Sequence, residues 1–250
     1  FQRLLDYSIG NHSINNRNNP LVDKYIEQVF KFSIRRRLSH EPISQIVGYR
    51  HFWKSRFFVN KNVLDPRPET ELIVEKVLEI SSQNLSLLDL GTGTGCLAIS
   101  IALERPSFKI TASDISCNAI RVAKANAKNL KARLKFIKSD WFSEINQKFD
   151  IIISNPPYIC ERDLLSLPLS IQRFEPRIAL GAGKYGLDCI TEIVINLNDH
   201  LNSGGIGIFE IGINQQEMIQ KLLKSHGFKG IEFLVDLSGK ERVVCVKKDA

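Results

Sequence analysis

The residues in this chain best suited to chemistry are Asn155-Pro156-Pro157-Tyr158, which follow an apolar run at 149–153 after a single serine, Ser154. Two successive prolines restrict the backbone where it would leave a strand. The Asn155 side-chain carbonyl and the Pro156 backbone carbonyl can accept the two N–H bonds of a planar amide or exocyclic amine, against whose face Tyr158 can pack. Such a nitrogen is a poor nucleophile because its lone pair is delocalised. The four residues therefore predict a clamp that aligns a planar nitrogen for attack.

Alignment alone can supply much of this catalysis. Holding the nitrogen in line with the group that it attacks lowers a barrier by roughly 7–11 kcal/mol, so a strong base is not required. We therefore predict that Asn155, Pro156 and Tyr158 are catalytic, and that the same residues together with Pro157 bind the substrate. The competing interpretation is a rigid proline turn without a chemical role.

A glycine-rich turn, Gly91-Thr92-Gly93-Thr94-Gly95, follows an earlier apolar run and opens a helical pattern. Its glycines allow a ligand to approach the backbone closely. A dinucleotide-binding GxGxxG turn would need glycine or alanine at position 96, where this chain has Cys96. The GxGxG spacing instead favours S-adenosylmethionine, which has no pyrophosphate to seat. A tight turn without a ligand is the alternative.

Two residues beyond the turn have the chemistry of nucleoside contacts. Asp114 ends the next predicted strand, where its carboxylate can accept hydrogen bonds from both ribose hydroxyls. Trp141 follows the third predicted strand, where its ring can lie against an adenine base. The alternative role for this tryptophan is that of a core aromatic.

Composition narrows the class of protein. The chain is 43% hydrophobic and 24% charged, which is typical of globular proteins. Its sequence contains no run of 18 apolar residues of the kind that spans a membrane. Its five cysteines and five histidines show no metal-ligand spacing, so no metal site is predicted. The scattered cysteines and the lack of a visible signal peptide indicate the cytoplasm. A net charge of +7 fits a nucleic-acid or ribosome-associated partner and a solvated basic surface equally well.

Three regions are expected from the patterning. Residues 1–47 carry apolar positions at helical spacing, with an Asn-rich break at 11–19, and predict a small helical domain. Residues 48–64 combine aromatic and β-branched residues around a polar break, which indicates a β-hairpin linker. Residues 65–250 form the third and largest region.

This third region alternates seven apolar runs with helical patterns, which is typical of a doubly wound α/β domain. The runs lie at 85–88, 108–112, 134–137, 149–153, 206–211, 231–235 and 242–246. Pro68 suits the first turn of a helix that precedes them. Only a short turn joins the last two runs, so these should pair antiparallel. We therefore predict a Rossmann-like, seven-stranded, mostly parallel sheet.

With these motifs in order, the chain resembles the PrmC/HemK family, which methylates the glutamine amide in the Gly-Gly-Gln motif of peptide chain release factors. The resemblance runs from about residue 36 to residue 246. Besides the glycine turn and the clamp, the segments that carry it are 41–43, 48–53, 67–71, 139–142, 173–176 and 204–205.

The resemblance implies a class I methyltransferase fold, a release factor as partner, and N-terminal helices that recognise this substrate. It implies that S-adenosylmethionine is bound by the turn, the two nucleoside-contact positions and the start of the clamp. These residues are Gly91, Thr92, Gly93, Thr94, Gly95, Asp114, Trp141 and Asn155. The glutamine would be held by Asn155, Pro156, Pro157 and Tyr158.

Two other functions stay open. An adenine-N6 methyltransferase of RNA or DNA would use the same Asn-Pro-Pro-Tyr motif, although no separate large basic domain is visible, which argues against direct nucleic-acid binding. A non-catalytic cofactor-binding module is the second, since a fold alone does not specify an activity. We expect a monomer in each case.

Overall fold

Helices open the described part of the chain, which comprises residues 2–10, 20–80 and 82–249 of a computed structural model. The first three are α1 (Gln2–Gly10), α2 (Pro20–Leu38) and α3 (Ile43–Val47). Leu4, Ile46 and Val47 form a small apolar cluster of their own, and burial of each such side chain contributes about 1.5–3 kcal/mol. The helical pattern expected here is present, whereas the predicted break at 11–19 lies outside the described residues.

A two-stranded antiparallel hairpin follows these helices. It consists of β1 (Tyr49–Phe52) and β2 (Ser55–Phe58). Phe52 pairs with Ser55, and side chains two residues apart on a strand share a face, so Phe57 lies on the same face of the hairpin as Phe52. Both rings are buried, with their centroids 6.1 Å apart in an edge-to-face arrangement. Both rings belong to the core of the large sheet. The predicted connecting hairpin is confirmed, and its strands end at residue 58.

The large sheet has seven strands, as predicted. They are β3 (Ser86–Leu90), β4 (Lys109–Asp114), β5 (Lys135–Lys138), β6 (Phe149–Ser154), β7 (Leu201–Glu210), β8 (Gly230–Val235) and β9 (Glu241–Lys247). Their order is β5-β4-β3-β6-β7-β9-β8. Neighbouring strands pair parallel except for β9, which is antiparallel to both β7 and β8. The doubly wound, mostly parallel sheet and the antiparallel final pair are therefore confirmed.

Apolar side chains cover both faces of this sheet. The helices of this part are α4 (Glu71–Leu78), α5 (Cys96–Glu104), α6 (Cys117–Leu130), α7 (Leu169–Phe174), α8 (Asp188–His200) and α9 (Gln216–Ser225). On β6, Ile151 and Ile153 belong to one apolar cluster and Ile152 to the other. This alternation explains why a buried parallel strand has a continuous apolar sequence. In the described residues, no helix combines the length and apolar character needed to cross a membrane.

A buried asparagine links the hairpin to the glycine turn. Asn126 on α6 accepts a hydrogen bond from the Phe58 backbone N–H at its Oδ1 atom, at 2.8 Å. Its Nδ2 atom donates to the backbone oxygens of Phe58, at 3.1 Å, and of Thr94, at 2.9 Å. Because a buried amide without partners is destabilising, these three bonds hold hairpin, helix and turn together.

Three details differ from the sequence prediction. Strand β7 begins at Leu201 rather than at residue 206, because Leu201 already pairs with Phe149 of β6; a register shift around Gly204, which has a φ of 72°, separates this pair from the next one, Ile151 with Ile206. Pro68 starts a 3-10 turn that leads into α4 instead of starting an α-helix. Helix α7 and its flanking 3-10 turns, at 161–166 and 177–179, were not predicted.

Hydrogen bonds cross both predicted domain boundaries, which lie after residues 47 and 64. Ser44 in α3 donates from its hydroxyl to Asp65 Oδ2 at 2.8 Å. Gln45 donates from Nε2 to the backbone oxygen of Phe174 at 2.7 Å. The division into regions 1–47, 48–64 and 65–250 stays a prediction.

Candidate active site

The candidate site lies at the carboxyl ends of the central strands. The chain places β4 and β5 on one side of β3 and then β6 and β7 on the other, so β3 and β6 meet where the strand order reverses. Ligands of open parallel sheets bind at such a point. A cleft of about 250 Å³ opens there. Six predicted site residues line it: Gly91, Gly93, Asp114, Trp141, Asn155 and Pro157.

The glycine turn requires backbone conformations that other residues adopt at a cost. Gly91, Gly93 and Gly95 have φ angles of 67°, 54° and 82°. A Cβ atom on Gly95 would lie 2.8 Å from the Ile99 Cδ1 atom, so this glycine allows the turn to pack on α5. Gly91 instead leaves the backbone open towards the cleft, with Trp141 Cζ3 3.8 Å from where its Cβ would be.

The two threonines of the turn brace it from behind. Thr92 donates from Oγ1 to Asp89 Oδ2 at 2.6 Å, and Thr94 Oγ1 accepts from the Cys96 backbone N–H at 3.3 Å. Asp89 is 1% exposed, and burial raises the pKa of its carboxyl to about 7. Neither threonine lines the cleft, and neither does Gly95, so the structure gives these three residues a shaping position rather than a lining one.

Asp114 lies at the end of β4 and lines the cleft. Its Oδ2 atom accepts from the Gly93 backbone N–H at 2.9 Å and its Oδ1 atom from the Ser116 N–H at 2.8 Å. Burial raises the pKa of this carboxyl, and the two N–H donors oppose that shift. Since each carboxylate oxygen can accept more than one hydrogen bond, Asp114 can also accept from a ligand.

Trp141 has a left-handed backbone conformation with φ 43°. This is uncommon for a residue with a side chain and persists only where the surroundings enforce it. The Ser139 hydroxyl donates to the Trp141 backbone oxygen at 2.8 Å and stabilises the turn. Trp141 is half-buried and lines the cleft.

The clamp divides between the cleft and the interior. Asn155 and Pro157 line the cleft, whereas Pro156 and Tyr158 do not. The Tyr158 hydroxyl donates to Glu210 Oε1 at 3.2 Å. Burial and the nearby Glu210 carboxyl both raise the pKa of Tyr158. The sequence prediction that Tyr158 packs against a planar substrate group stays a prediction.

Sequence reasoning missed Glu210 and Thr70, which lie behind the clamp. Both are 2% exposed. Thr70 donates from Oγ1 to Glu210 Oε2 at 2.5 Å and accepts from Asn155 Nδ2 at 3.1 Å. Burial raises the pKa of Glu210 to about 7, although its hydrogen bonds with Thr70 and Tyr158 act in the opposite direction. The signal in the sequence was an acidic residue at the end of an otherwise apolar strand.

The segment after the clamp forms another part of the cleft lining, through Pro176, Ile178 and neighbouring residues. An ion pair fixes it, because Arg67 Nη2 lies 2.6 and 2.8 Å from the two carboxylate oxygens of Glu175. Burial raises the pKa of Glu175, and Arg67 opposes that shift. The resemblance had pointed to both segments without indicating that they pair.

Comparisons with known proteins agree with this geometry. The sequence model of the family described as methyltransferase small domain matches residues 60–166 of this chain. A release factor glutamine methyltransferase of Neisseria gonorrhoeae is 44% identical over 216 residues, which cover 85% of this chain and 79% of the relative. The chain belongs to the release factor glutamine methyltransferase family.

Two further matches support membership of this family and the fold. The release factor glutamine methyltransferase of Cereibacter sphaeroides is 39% identical over 223 residues, covering 88% of this chain and 80% of that one. The crystal structure of a methyltransferase from Pyrococcus furiosus has a TM-score of 0.62 at 17% identity and covers 88% of this chain and 100% of that one. The resemblance to the PrmC/HemK family and the methyltransferase class are thus confirmed.

The cleft has the features that a nucleoside cofactor of this family requires. A turn without side chains at Gly91 and Gly93 admits a ligand close to the backbone, Asp114 offers carboxylate oxygens, and Trp141 offers an aromatic face. These residues fit a ribose and a base. Asn155 lies in the same cleft, so a nucleoside and a clamped nitrogen would be neighbours.

Proposed function

We propose that this chain transfers a methyl group from S-adenosylmethionine to the side-chain amide nitrogen, N5, of the glutamine in the Gly-Gly-Gln motif of peptide chain release factors, and so modulates translation termination. The observation that carries the proposal is that Asn155 shares the nucleoside-type cleft and turns its Nδ2 atom inward, towards Thr70. Its Oδ1 atom is then available for an amide N–H. The names of the relatives support the choice of substrate.

When bound, S-adenosylmethionine supplies the methyl group as an electrophilic carbon on its sulfonium. We propose that Gly91, Gly93, Asp114, Trp141 and Asn155 hold this cofactor directly, since all five line the cleft. The remaining predicted cofactor residues would act by shaping the turn; these are Thr92, Thr94 and Gly95.

The chain's own contribution to the reaction is alignment. Asn155 Oδ1 and the Pro156 carbonyl would each accept one N–H of the glutamine amide, which directs the nitrogen lone pair along one axis. Pro157 contributes apolar surface to the cleft. Tyr158, whose hydroxyl is bonded to Glu210, would support the plane of the amide with its ring.

Adenine-N6 methylation of RNA or DNA is the second candidate. The exocyclic amine of adenine presents the same two N–H bonds as an amide, so the clamp does not distinguish them. The net charge of +7 suits a polyanion.

A labelling experiment tests both candidates. The enzyme is incubated with radiolabelled S-adenosylmethionine and either an intact release factor, the same factor with its Gly-Gly-Gln glutamine changed to alanine, or RNA and DNA. We expect label on the intact factor alone. Equal labelling of both release factors would contradict glutamine methylation, and label on nucleic acid with none on the release factor would favour the adenine reaction.

We also propose that the enzyme works as a monomer in the cytoplasm. All five cysteines are free: Cys96, Cys117, Cys160, Cys189 and Cys245. Free thiols of this number suit a reducing compartment. Sedimentation of the purified protein, with and without a release factor, would test the oligomeric state.

A further inference from the structure

Among the described residues, the side chains of two buried polar residues behind the clamp form hydrogen bonds only to each other and to the clamp. Thr70, in the 3-10 turn before α4, and Glu210, at the end of β7, are joined by a hydrogen bond of 2.5 Å. A buried acid and hydroxyl are costly to place in a core unless they are fully bonded. Their remaining bonds go to Asn155 and Tyr158, the first and last residues of the clamp.

The direction of these hydrogen bonds determines which way the Asn155 amide faces. In the structure the Thr70 hydroxyl donates its single proton to Glu210 Oε2, and the ionised form of that carboxyl, which prevails above pH 7, can only accept. Towards Asn155, Thr70 can then only accept, and the atom 3.1 Å away must be Nδ2. The other amide atom, Oδ1, accepts no hydrogen bond from the described residues and belongs to a side chain that lines the cleft.

This polarity matters because an asparagine amide is nearly symmetric in shape. Rotation by half a turn about its last torsion exchanges an acceptor for a donor with little change in packing. A reversed Asn155 would present N–H groups to the N–H groups of an incoming amide, and the clamp would repel its substrate. The same Glu210 carboxylate also holds the Tyr158 hydroxyl, at 3.2 Å.

We propose that Thr70 and Glu210 are positioning residues, which fix the polarity of the Asn155 amide and the place of Tyr158 so that the clamp accepts the two N–H bonds of its substrate. The proposal rests on the proposed function, because it concerns the orientation of a clamp for an amide. Neither residue contacts the substrate; each acts through Asn155 or Tyr158.

Two substitutions at one position separate the hydroxyl from the shape of its side chain. Thr70→Val keeps the shape and removes the hydroxyl, whereas Thr70→Ser keeps the hydroxyl and removes a methyl group. We expect Thr70→Val to lower kcat for the intact release factor about 10- to 100-fold per folded enzyme, with the Kd for S-adenosylmethionine changed less than about threefold. Thr70→Ser, which still has the hydroxyl, should keep kcat within about threefold of the wild type.

A control variant accounts for the loss of a buried hydroxyl as such. Thr111 is 4% exposed and lies on β4, which β3 separates from the strand that leads into the clamp, and Thr111→Val removes its hydroxyl. Its kcat per folded enzyme should equal that of the wild type. Retention of full kcat by Thr70→Val, or equal losses in Thr70→Val and Thr70→Ser, would overturn the positioning role.

A second readout needs no substrate and so separates this proposal from the proposed function. In enzyme labelled with ¹⁵N-asparagine, the Asn155 side-chain amide protons are identified by their disappearance in Asn155→Ala. Their exchange with solvent should be slow in the wild type and in Thr70→Ser and fast in Thr70→Val. Unchanged exchange in Thr70→Val would refute the bond to Thr70. A wild-type enzyme that labels no release factor would refute the proposed function while leaving this result intact.

Discussion

The glycine turn and the Asn-Pro-Pro-Tyr clamp line the same cleft, yet the contacts that hold them differ in range. The turn is braced over shorter separations: Thr92 bonds to Asp89 three residues away, Gly93 to Asp114 twenty-one residues away, and Thr94 to Asn126 thirty-two residues away. The clamp is braced from a distance, because Asn155 hydrogen-bonds to a residue 85 positions earlier. The turn therefore depends on the continuous segment from β3 to α6, whereas the clamp depends on residues before α4 and at the end of β7.

This difference separates the expected effects of substitutions in the two regions. Changes in the turn should alter affinity for the cofactor and stability, because the turn shapes the pocket and packs on α5. Changes in the clamp or behind it should alter turnover, because the clamp aligns the nitrogen. Four substitutions test this division, beginning with the one expected to have the largest effect.

Removal of the clamp amide should have the largest effect. We expect Asn155→Ala to lower kcat about 10²- to 10³-fold, as for other groups that align a reacting atom or stabilise its charge. The Kd for S-adenosylmethionine should rise less than about tenfold. Single-turnover kinetics with the intact release factor and calorimetric titration of the cofactor would measure the two. A loss confined to cofactor affinity would instead make Asn155 a part of the turn's function.

Removal of the Asp114 carboxylate should weaken cofactor binding. Because hydrogen bonds to a charged group contribute about 1.5–3 kcal/mol, Asp114→Ala should raise the Kd for S-adenosylmethionine by about 10- to 100-fold. Turnover at saturating cofactor should stay within about threefold of the wild type. Asp114→Asn keeps one acceptor oxygen, so its Kd for S-adenosylmethionine should lie between those of the wild type and Asp114→Ala. If kcat of Asp114→Ala fell as far as that of Asn155→Ala, the turn region would affect turnover as strongly as the clamp, which contradicts the proposed division.

Addition of a methyl group to the turn should lower stability. Gly95→Ala combines a left-handed φ of 82° with a contact of 2.8 Å to Ile99 Cδ1, and should lower the free energy of unfolding by about 2–3 kcal/mol. Gly239→Ala is the matched control, since its φ is 73° and nothing lies within 4 Å. That variant should lose about 1 kcal/mol in urea titrations. Equal losses would show that the packing on α5 is unimportant.

The smallest effect is expected from Glu210→Gln and depends on pH. The folded-state pKa of Glu210, about 7, lies above the ordinary value of 4.5, so its proton favours folding. This contribution is complete below about pH 4.5 and is lost as the pH rises through 7. Glutamine stays neutral and should therefore be more stable than the wild type by about 1 kcal/mol at pH 8, but not at pH 4.5.

The same variant should be less active in spite of its stability. A glutamine can still accept from Thr70 but turns an N–H towards the Tyr158 hydroxyl. Thermal unfolding at pH 4.5 and pH 8, combined with kcat at pH 8, would show the opposite trends. Two further charged groups act on Glu210: Arg242 lowers its pKa, and Glu69 raises it. Asp89 has a similarly raised pKa, so only the difference between variant and wild type is diagnostic.

The range of the contacts also explains what could be predicted from the sequence. The seven strands, the glycine turn and the end positions of Asp114 and Asn155 follow from local patterns, because strand periodicity and turn chemistry involve neighbouring residues. Thr70 and Glu210 could not be paired from the sequence, since 140 positions separate them. The start of β7 was predicted too late because its Asn-Ser-Gly-Gly sequence is typical of a turn.

The three hydrogen bonds of Asn126 have a consequence for binding. They fasten β2 to helix α6 and to the turn at Thr94, so the hairpin has little freedom to pivot on the sheet. A segment that is rigid before an encounter loses no orientational entropy during it. The cost of orienting the hairpin is thus met when the chain folds, before any partner binds.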